Sequence, residues 1–221
     1  MKKIATLAAV ASVAAAMIAP IQASAESAQL RITGTIVPAA CRPAFAGGGV
    51  IDYGTILAST LNPTAQTTLP DKSTQLTLTC DAPALFGFKV IDERAATADI
   101  SLETIPNYLP NMKFGLGTAD GKKIGAYSLQ MTSQTSDAGP AHPIGSYDGG
   151  ATWVALGTGG MGGNGNRLVA FANSATEYVP SAHTSITADI RVVTAIEPGS
   201  DLPLTRNIPL DGLSTFEVVY L

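Results

Sequence analysis

The sequence reads as an all-β protein, a sandwich or a barrel. Short segments alternate polar and apolar residues, as half-buried strands do. Glycine and proline, 22 and 14 of the 221 residues, punctuate the intervals between those segments. Beyond the N-terminal stretch no segment carries a long helical period, and many short strands joined by such turns point to this class.

Taken in order, the chain opens on Met1-Lys2-Lys3, an apolar run from Ile4 to about Ile18, and the small-residue site Ala23-Ser24-Ala25. These are the three parts of a secretory signal, so residues 1–25 are expected to be removed and 26–221 to form one domain. Gln29–Thr33 is the first alternating segment. Gln75–Thr79 follows and ends on Cys80, and Phe86–Val90 repeats the pattern. Further strands are expected at Met112–Leu116, Ala126–Met131, Leu168–Phe171, Ile186–Thr194 and Phe216–Leu221. Turns are expected at Asn62-Pro63, Ala119-Asp120-Gly121, Asp148-Gly149-Gly150, Asn164-Gly165 and Glu197-Pro198-Gly199. The glycine-rich run 157–165 lacks the Gly-Lys-Ser/Thr ending of a phosphate-binding loop and reads as a flexible connection.

Loss of Lys2 and Lys3 with the leader moves the formal charge from −4 to about −6. An acidic domain lacks the electrostatic footprint of a nucleic-acid binder. No later segment reaches the ~18 consecutive apolar residues of a membrane-spanning helix. The chain has two cysteines, Cys41 and Cys80. In an exported chain such a pair reads as a disulfide, and closing a loop of this length is worth ~4 kcal/mol in the chain-entropy model. The alternatives are a reactive thiol or a metal site. Zinc would need two more ligands, and only His142 and His183 are available, at no ligand-like spacing. No metal or cofactor is expected.

Three local patterns together resemble the fimbrial subunits of the chaperone–usher class. Gly34–Cys41 is similar to the strand that leads to their first cysteine, and the second follows inside Leu76–Cys80. Ile51-Asp52-Tyr53-Gly54-Thr55-Ile56 resembles the acidic-aromatic-glycine segment between those cysteines. The chain ends on Phe216–Leu221, an alternating strand with a penultimate tyrosine. The middle of the chain looks more like an uncharacterised fimbria-associated family. The resemblance implies an immunoglobulin-like β-sandwich that lacks its final strand. It also implies that a periplasmic chaperone, and later a neighbouring subunit delivered by an usher, supplies the missing strand by β-augmentation. Phe216, Val218, Tyr220 and Leu221 would then border the groove, with the Leu221 carboxylate held by the chaperone. Leu30 and Ile32 would be the donor side chains, although Glu26–Thr33 is short for a donor extension. The implied location is the periplasm and then the cell surface of a Gram-negative bacterium, with a glycan or host surface among the implied contacts.

One motif is sharper. Ser146, Asp148, Gly150, Thr152 and Trp153 spell the Ser-x-Asp-x-Gly-x-Thr-Trp pattern of a sialidase Asp-box. It occurs once, in a chain too short for a propeller, and reads as a structural hairpin turn. No catalytic residue is assigned. Asp92 and Glu93 are adjacent and would face opposite ways on a strand. No Gly-x-Ser-x-Gly elbow accompanies His142 or His183, both expected in exposed loops. Tyr127 and Trp153 would form a carbohydrate-stacking surface if both were exposed. The expected function is an assembly subunit and not an enzyme. The alternative is a free-standing periplasmic or surface binding or sensing module; a glycosidase ranks below both.

Overall fold

The computed structural model describes residues 28–36 and 40–221. The expected signal at 1–25 and the expected mature start at Glu26 lie outside the described residues. The chain divides after Val37 into two units. In the first, Ala28–Ile36 has no regular secondary structure. The strand expected at Gln29–Thr33 is therefore not formed. Alternation gives a segment a face to bury but no ladder partner for its amides, and a lone strand is not stable in water.

The second unit is all-β. Its strands are β1 (Cys41–Phe45), β2 (Thr67–Thr68), β3 (Lys72–Ala84), β4 (Phe86–Asp92), β5 (Phe114–Gly115), β6 (Thr118–Ala119) and β7 (Lys122–Lys123). They continue with β8 (Gly125–Ser136), β9 (Gly139–Pro140), β10 (His142–Ser146), β11 (Val154–Ala155), β12 (Leu168–Ala172), β13 (His183–Ile196) and β14 (Ser214–Tyr220). One antiparallel sheet runs β1-β3-β13-β8-β5, with β2 added to β13 and β9 to β8; the other runs β11-β10-β12-β4-β14. Strands β6 and β7 form a small hairpin whose turn residues Asp120 and Gly121 both have positive φ, 49° and 77°, as such a turn requires.

The two sheets close on one core. Leu76 and Leu78 of β3, Ile186 and Ile190 of β13, and Leu129 and Met131 of β8 meet Phe86, Phe88 and Val90 of β4 and Val169 and Phe171 of β12. In β3 the core residues alternate with more exposed threonines, as the sequence pattern requires. By chain position β1, β3, β4, β8, β13 and β14 stand where strands A to F stand in an immunoglobulin domain. The sheet order β1-β3-β13-β8 is A-B-E-D, and β4-β14 is C-F. Strands β10 and β12 extend the second sheet beyond β4. No strand of the described residues is hydrogen-bonded to β14 in the place of a seventh strand; β1 packs against that side through side chains.

Cys41 and Cys80 lie directly opposite each other in the β1/β3 pair and form the expected disulfide, Cα atoms 4.0 Å apart. The bridge fastens a short edge strand to the long central β3.

Four expectations are corrected. Of Met112–Leu116 only Phe114–Gly115 is a strand, β5, and Met112 ends a 3-10 turn (Pro110–Met112), because the preceding segment folds over the outer face of the first sheet instead of extending along it. There Ile105, Tyr108 and Met112 cover Val193, and Leu102 covers Ala126 and Ala195. The C-terminal half of β13 is consequently buried on both faces. The glycine-rich run is not a flexible connection. Gly159–Gly163 is buried, with Gly159 and Met161 bonded to β8 and Gly163 to Asp92 at the end of β4. Glycine is needed there because a Cβ at Gly159 would sit 2.1 Å from the Met131 carbonyl oxygen. His183 is buried at the start of β13 and His142 lies in β10, so neither is an exposed loop residue.

Candidate functional site

An antiparallel sandwich is vulnerable along its edges, where unpaired amides invite another strand. Each of the four edges here can be read from its residues. Strand β8 is covered by β5, β9 and the bonds to Gly159 and Met161. Strand β11 is two residues long. Strand β1 carries Pro43. The Asp81 amide donates to the Ala40 carbonyl, so alternation turns the backbone groups of Cys41, Pro43 and Phe45 away from β3. Proline has no N–H to offer at that edge.

Strand β14 is different. It is seven residues long and pairs with β4 on one side only. The Leu221 amide donates to the Leu85 carbonyl, and the Glu93 amide donates to the Leu213 carbonyl. Odd-numbered residues therefore exchange bonds with β4, and Ser214, Phe216, Val218 and Tyr220 aim their N–H and C=O groups at the free edge. The same even residues turn their side chains inward, because side chains alternate with period two. Phe216 and Val218 are half-buried. Thr215, Glu217 and Val219 take the outer face, where Glu217 pairs with Lys89 at 3.2 Å.

Beside the Ser214–Phe216 end of this edge is a groove of about 800 Å3 with an aliphatic and aromatic floor. Its floor comprises Tyr127 and Leu129 of β8 with Ile190 and Val192 of β13. Phe45 and Phe216, the irregular segment from Ile51 to Leu61, and Leu202, Ile208 and Leu210 complete the lining. Tyr53 donates its hydroxyl hydrogen bond to Thr194 Oγ1 across 3.1 Å, and burial raises its pKa. Tyr127 is likewise held neutral, its phenol pushed up mainly by burial and sharing a hydrogen bond with Ser214. Both phenols are therefore neutral, and the charged members of the lining are Asp52 and Arg206.

The two edges meet along the length of β1, from Phe45 beside Phe216 to Cys41 beside Tyr220. Phe45 packs edge-on against Phe216 with ring centroids 4.9 Å apart, and Phe216 in turn stacks on Phe88 at 5.6 Å. The Cys41 amide donates to the Tyr220 hydroxyl at 2.7 Å.

Of the predicted border residues Phe216 lines the groove, while Val218 and Tyr220 follow it along β14 and Leu221 comes directly after the strand. Leu30 and Ile32 belong to the separate unit at Ala28–Ile36. The sequence reading missed Pro43, Phe45 and the Leu202–Leu210 wall. Alternation through Cys41-Arg42-Pro43-Ala44-Phe45 was available as a signal for Phe45. The irregular wall has no period to read.

The Asp-box residues form the turn their pattern implies. Ser146 Oγ donates to Asp148, and Asp148 also accepts from the Thr152 amide and the Thr152 hydroxyl. The Thr152 hydroxyl, helped by the Thr152 amide and Ser146, holds the Asp148 carboxyl well below its usual range. Gly149 and Gly150 have φ of 75° and 96°, and Trp153 Nε1 donates to the Gly150 carbonyl. Every polar group of Asp148 is thus committed to the turn. Trp153 packs on Ile144, Ala170 and Ala172, whereas Tyr127 is in the main core, so the expected Tyr127–Trp153 stacking surface is not formed.

With this geometry in view, likeness to known proteins adds the lineage. A family model described as a protein of unknown function (DUF1120) matches residues 30–128, a stretch that contains both cysteines, β3 and β4. Protein GltF of Escherichia coli (strain K12) is 30% identical over 251 aligned positions, which cover 100% of this chain and 98% of that protein. The chain belongs to the GltF family. The GltF-like alignment runs the length of the molecule, so it includes β14 and the Leu202–Leu210 side of the groove, which lie beyond the part that the family model matches.

Proposed function

We propose that the protein is an exported fimbrial-type subunit, assembled by the chaperone–usher route through β-strand complementation. The observation that carries this reading is β14: seven residues long, unpaired on its outer side among the described residues, and bordering a groove at Ser214 and Phe216. Such an edge supplies both halves of strand recognition, main-chain groups for affinity and pockets for alternate side chains. Its partners are a periplasmic chaperone, an usher and neighbouring subunits, and its location is the periplasm and then the cell surface of a Gram-negative bacterium. The acidic charge and the absence, among the described residues, of a helix long and apolar enough to cross a membrane agree with such a path.

Co-expression with a cognate periplasmic chaperone tests the proposal. The chaperone is expected to raise the periplasmic yield and to co-purify with the chain, and deletion of Tyr220-Leu221 is expected to abolish capture. Equal yields alone, with chaperone and after truncation would overturn it. A second reading, a free-standing periplasmic binding or sensing module, is favoured by the Cys41–Tyr220 and Phe45–Phe216 contacts, which already draw the two edges together along the length of β1. A monomer that captures no strand and melts as one unit would favour that reading.

A further inference from the structure

We propose that Tyr220 is a latch that holds the two free edges of the sandwich together and is displaced when a strand adds to β14. The inference rests on the strand-accepting reading above and assigns a control to that same site.

The latch follows from the register. On β1 the outward backbone donors are the amides of Cys41 and Phe45, since Pro43 supplies none. The Cys41 amide is already taken, by the Tyr220 hydroxyl at 2.7 Å. A strand inserted between the edges therefore finds no continuous ladder on β1. On β14 it finds the outward groups of Ser214, Phe216, Val218 and Tyr220 in unbroken alternation. Addition is thus directed to β14, and β1 is a wall. To run the full length of β14, the strand must pass between Tyr220 and Cys41 and replace their hydrogen bond.

The contact is built to be replaceable. Tyr220 is 51% exposed, so its ring can turn into water without leaving a cavity. Cys41 is only partly buried, so its amide can be hydrated or paired by the incoming strand. The neighbouring Phe45–Phe216 contact is edge-on and belongs to the groove wall, where side chains of a bound strand can take its place. With the strand absent, the same two contacts cover the edge from Phe216 to Tyr220 and reduce what is open to unspecific pairing.

The test uses the full mature chain and the variant Tyr220→Phe, which keeps the ring and removes the hydroxyl. The probe is a synthetic peptide of Gln29–Ile36, whose Leu30, Ile32 and Ile36 alternate as a donor requires. Two readouts are taken: amide hydrogen exchange of Cys41 in the free protein, and the association rate of the peptide. The hydroxyl makes one hydrogen bond of ordinary net strength, so its loss is expected to speed association about 2- to 10-fold and to remove protection of the Cys41 amide. Peptide binding at the same rate to both proteins overturns the latch and leaves strand acceptance standing. Unchanged Cys41 protection in Tyr220→Phe also overturns it. Failure of the peptide to bind either protein overturns the latch together with the reading it rests on.

Discussion

Proline substitution at two adjacent positions of β14 separates its paired side from its free side. Val219 and Gly87 face each other in the β14/β4 ladder, and parity makes them a hydrogen-bonded pair. Val219→Pro removes that donor and forces the ring against β4, at a cost of about 3 kcal/mol or more. Val218 directs its amide away from β4, so Val218→Pro breaks no ladder bond. It exchanges one half-buried apolar side chain for another of similar bulk, at a cost of about 1 kcal/mol. The difference of about 2 kcal/mol amounts to roughly 1 M in the urea midpoint for an ordinary m-value. Equilibrium urea unfolding followed by circular dichroism measures it. The Val218 variant is further expected to lose capture of any added strand, because its outward donor is gone, while remaining folded. Equal midpoints for the two variants would show that the assigned register is wrong, and with it the identity of the free edge.

Other perturbations test the frame around the groove. Replacing Cys41 and Cys80 together by alanine is expected to lower stability by up to about 4 kcal/mol, and adding reductant to the parent protein should reproduce the loss. Gly159→Ala is expected to cost about 3 kcal/mol or more, because φ is 70° and the new Cβ would meet the Met131 carbonyl; a midpoint within 0.5 kcal/mol of the parent would refute this. Glu197 has its pKa raised from 4.5 to about 7, by burial first and then by the neighbouring Asp99 carboxyl. A raised folded-state value means that the protonated form is favoured by folding. Its stabilisation is therefore fully present below about pH 4.5 and is lost as pH rises through about 7. Allowing for solvent screening, this is about 1–2 kcal/mol between pH 5 and 8. Glu197→Gln should flatten that part of the pH–stability curve, as urea midpoints would show.

The strands were legible where one face is dry and the other wet. β3 and β14 show this directly, with threonine or glutamate alternating against leucine, phenylalanine or valine. Legibility failed where a third layer lies over a sheet. Nothing in the composition of Leu102–Met112 signals that it covers β13, because an irregular segment carries no period; Asn107, with φ of 65°, marks one of its bends. The glycine run misled for a related reason. Glycine permits flexibility in a linker, but it also permits close approach, and here backbone and rings crowd Gly159, Gly160 and Gly163. His183 looked like a loop residue after Pro180-Ser181-Ala182, yet the long reach of β13 carries it into the interior. Of the candidate site, the C-terminal border was readable from alternation. The rest of the lining was not, since it depends on which edge of the fold ends up facing β14.

Pro43 has a consequence for valency. Of the four edges among the described residues, one is covered, one is two residues long and one lacks a donor at its centre, so β14 alone keeps an unbroken set of outward groups. If the assembly proposal holds, such a molecule has one acceptor, and with one donor segment it would grow in a line without branching. Restoring an N–H at position 43, as in Pro43→Ala, would then give β1 a donor on the side that faces β14 and let an added strand pair with both edges.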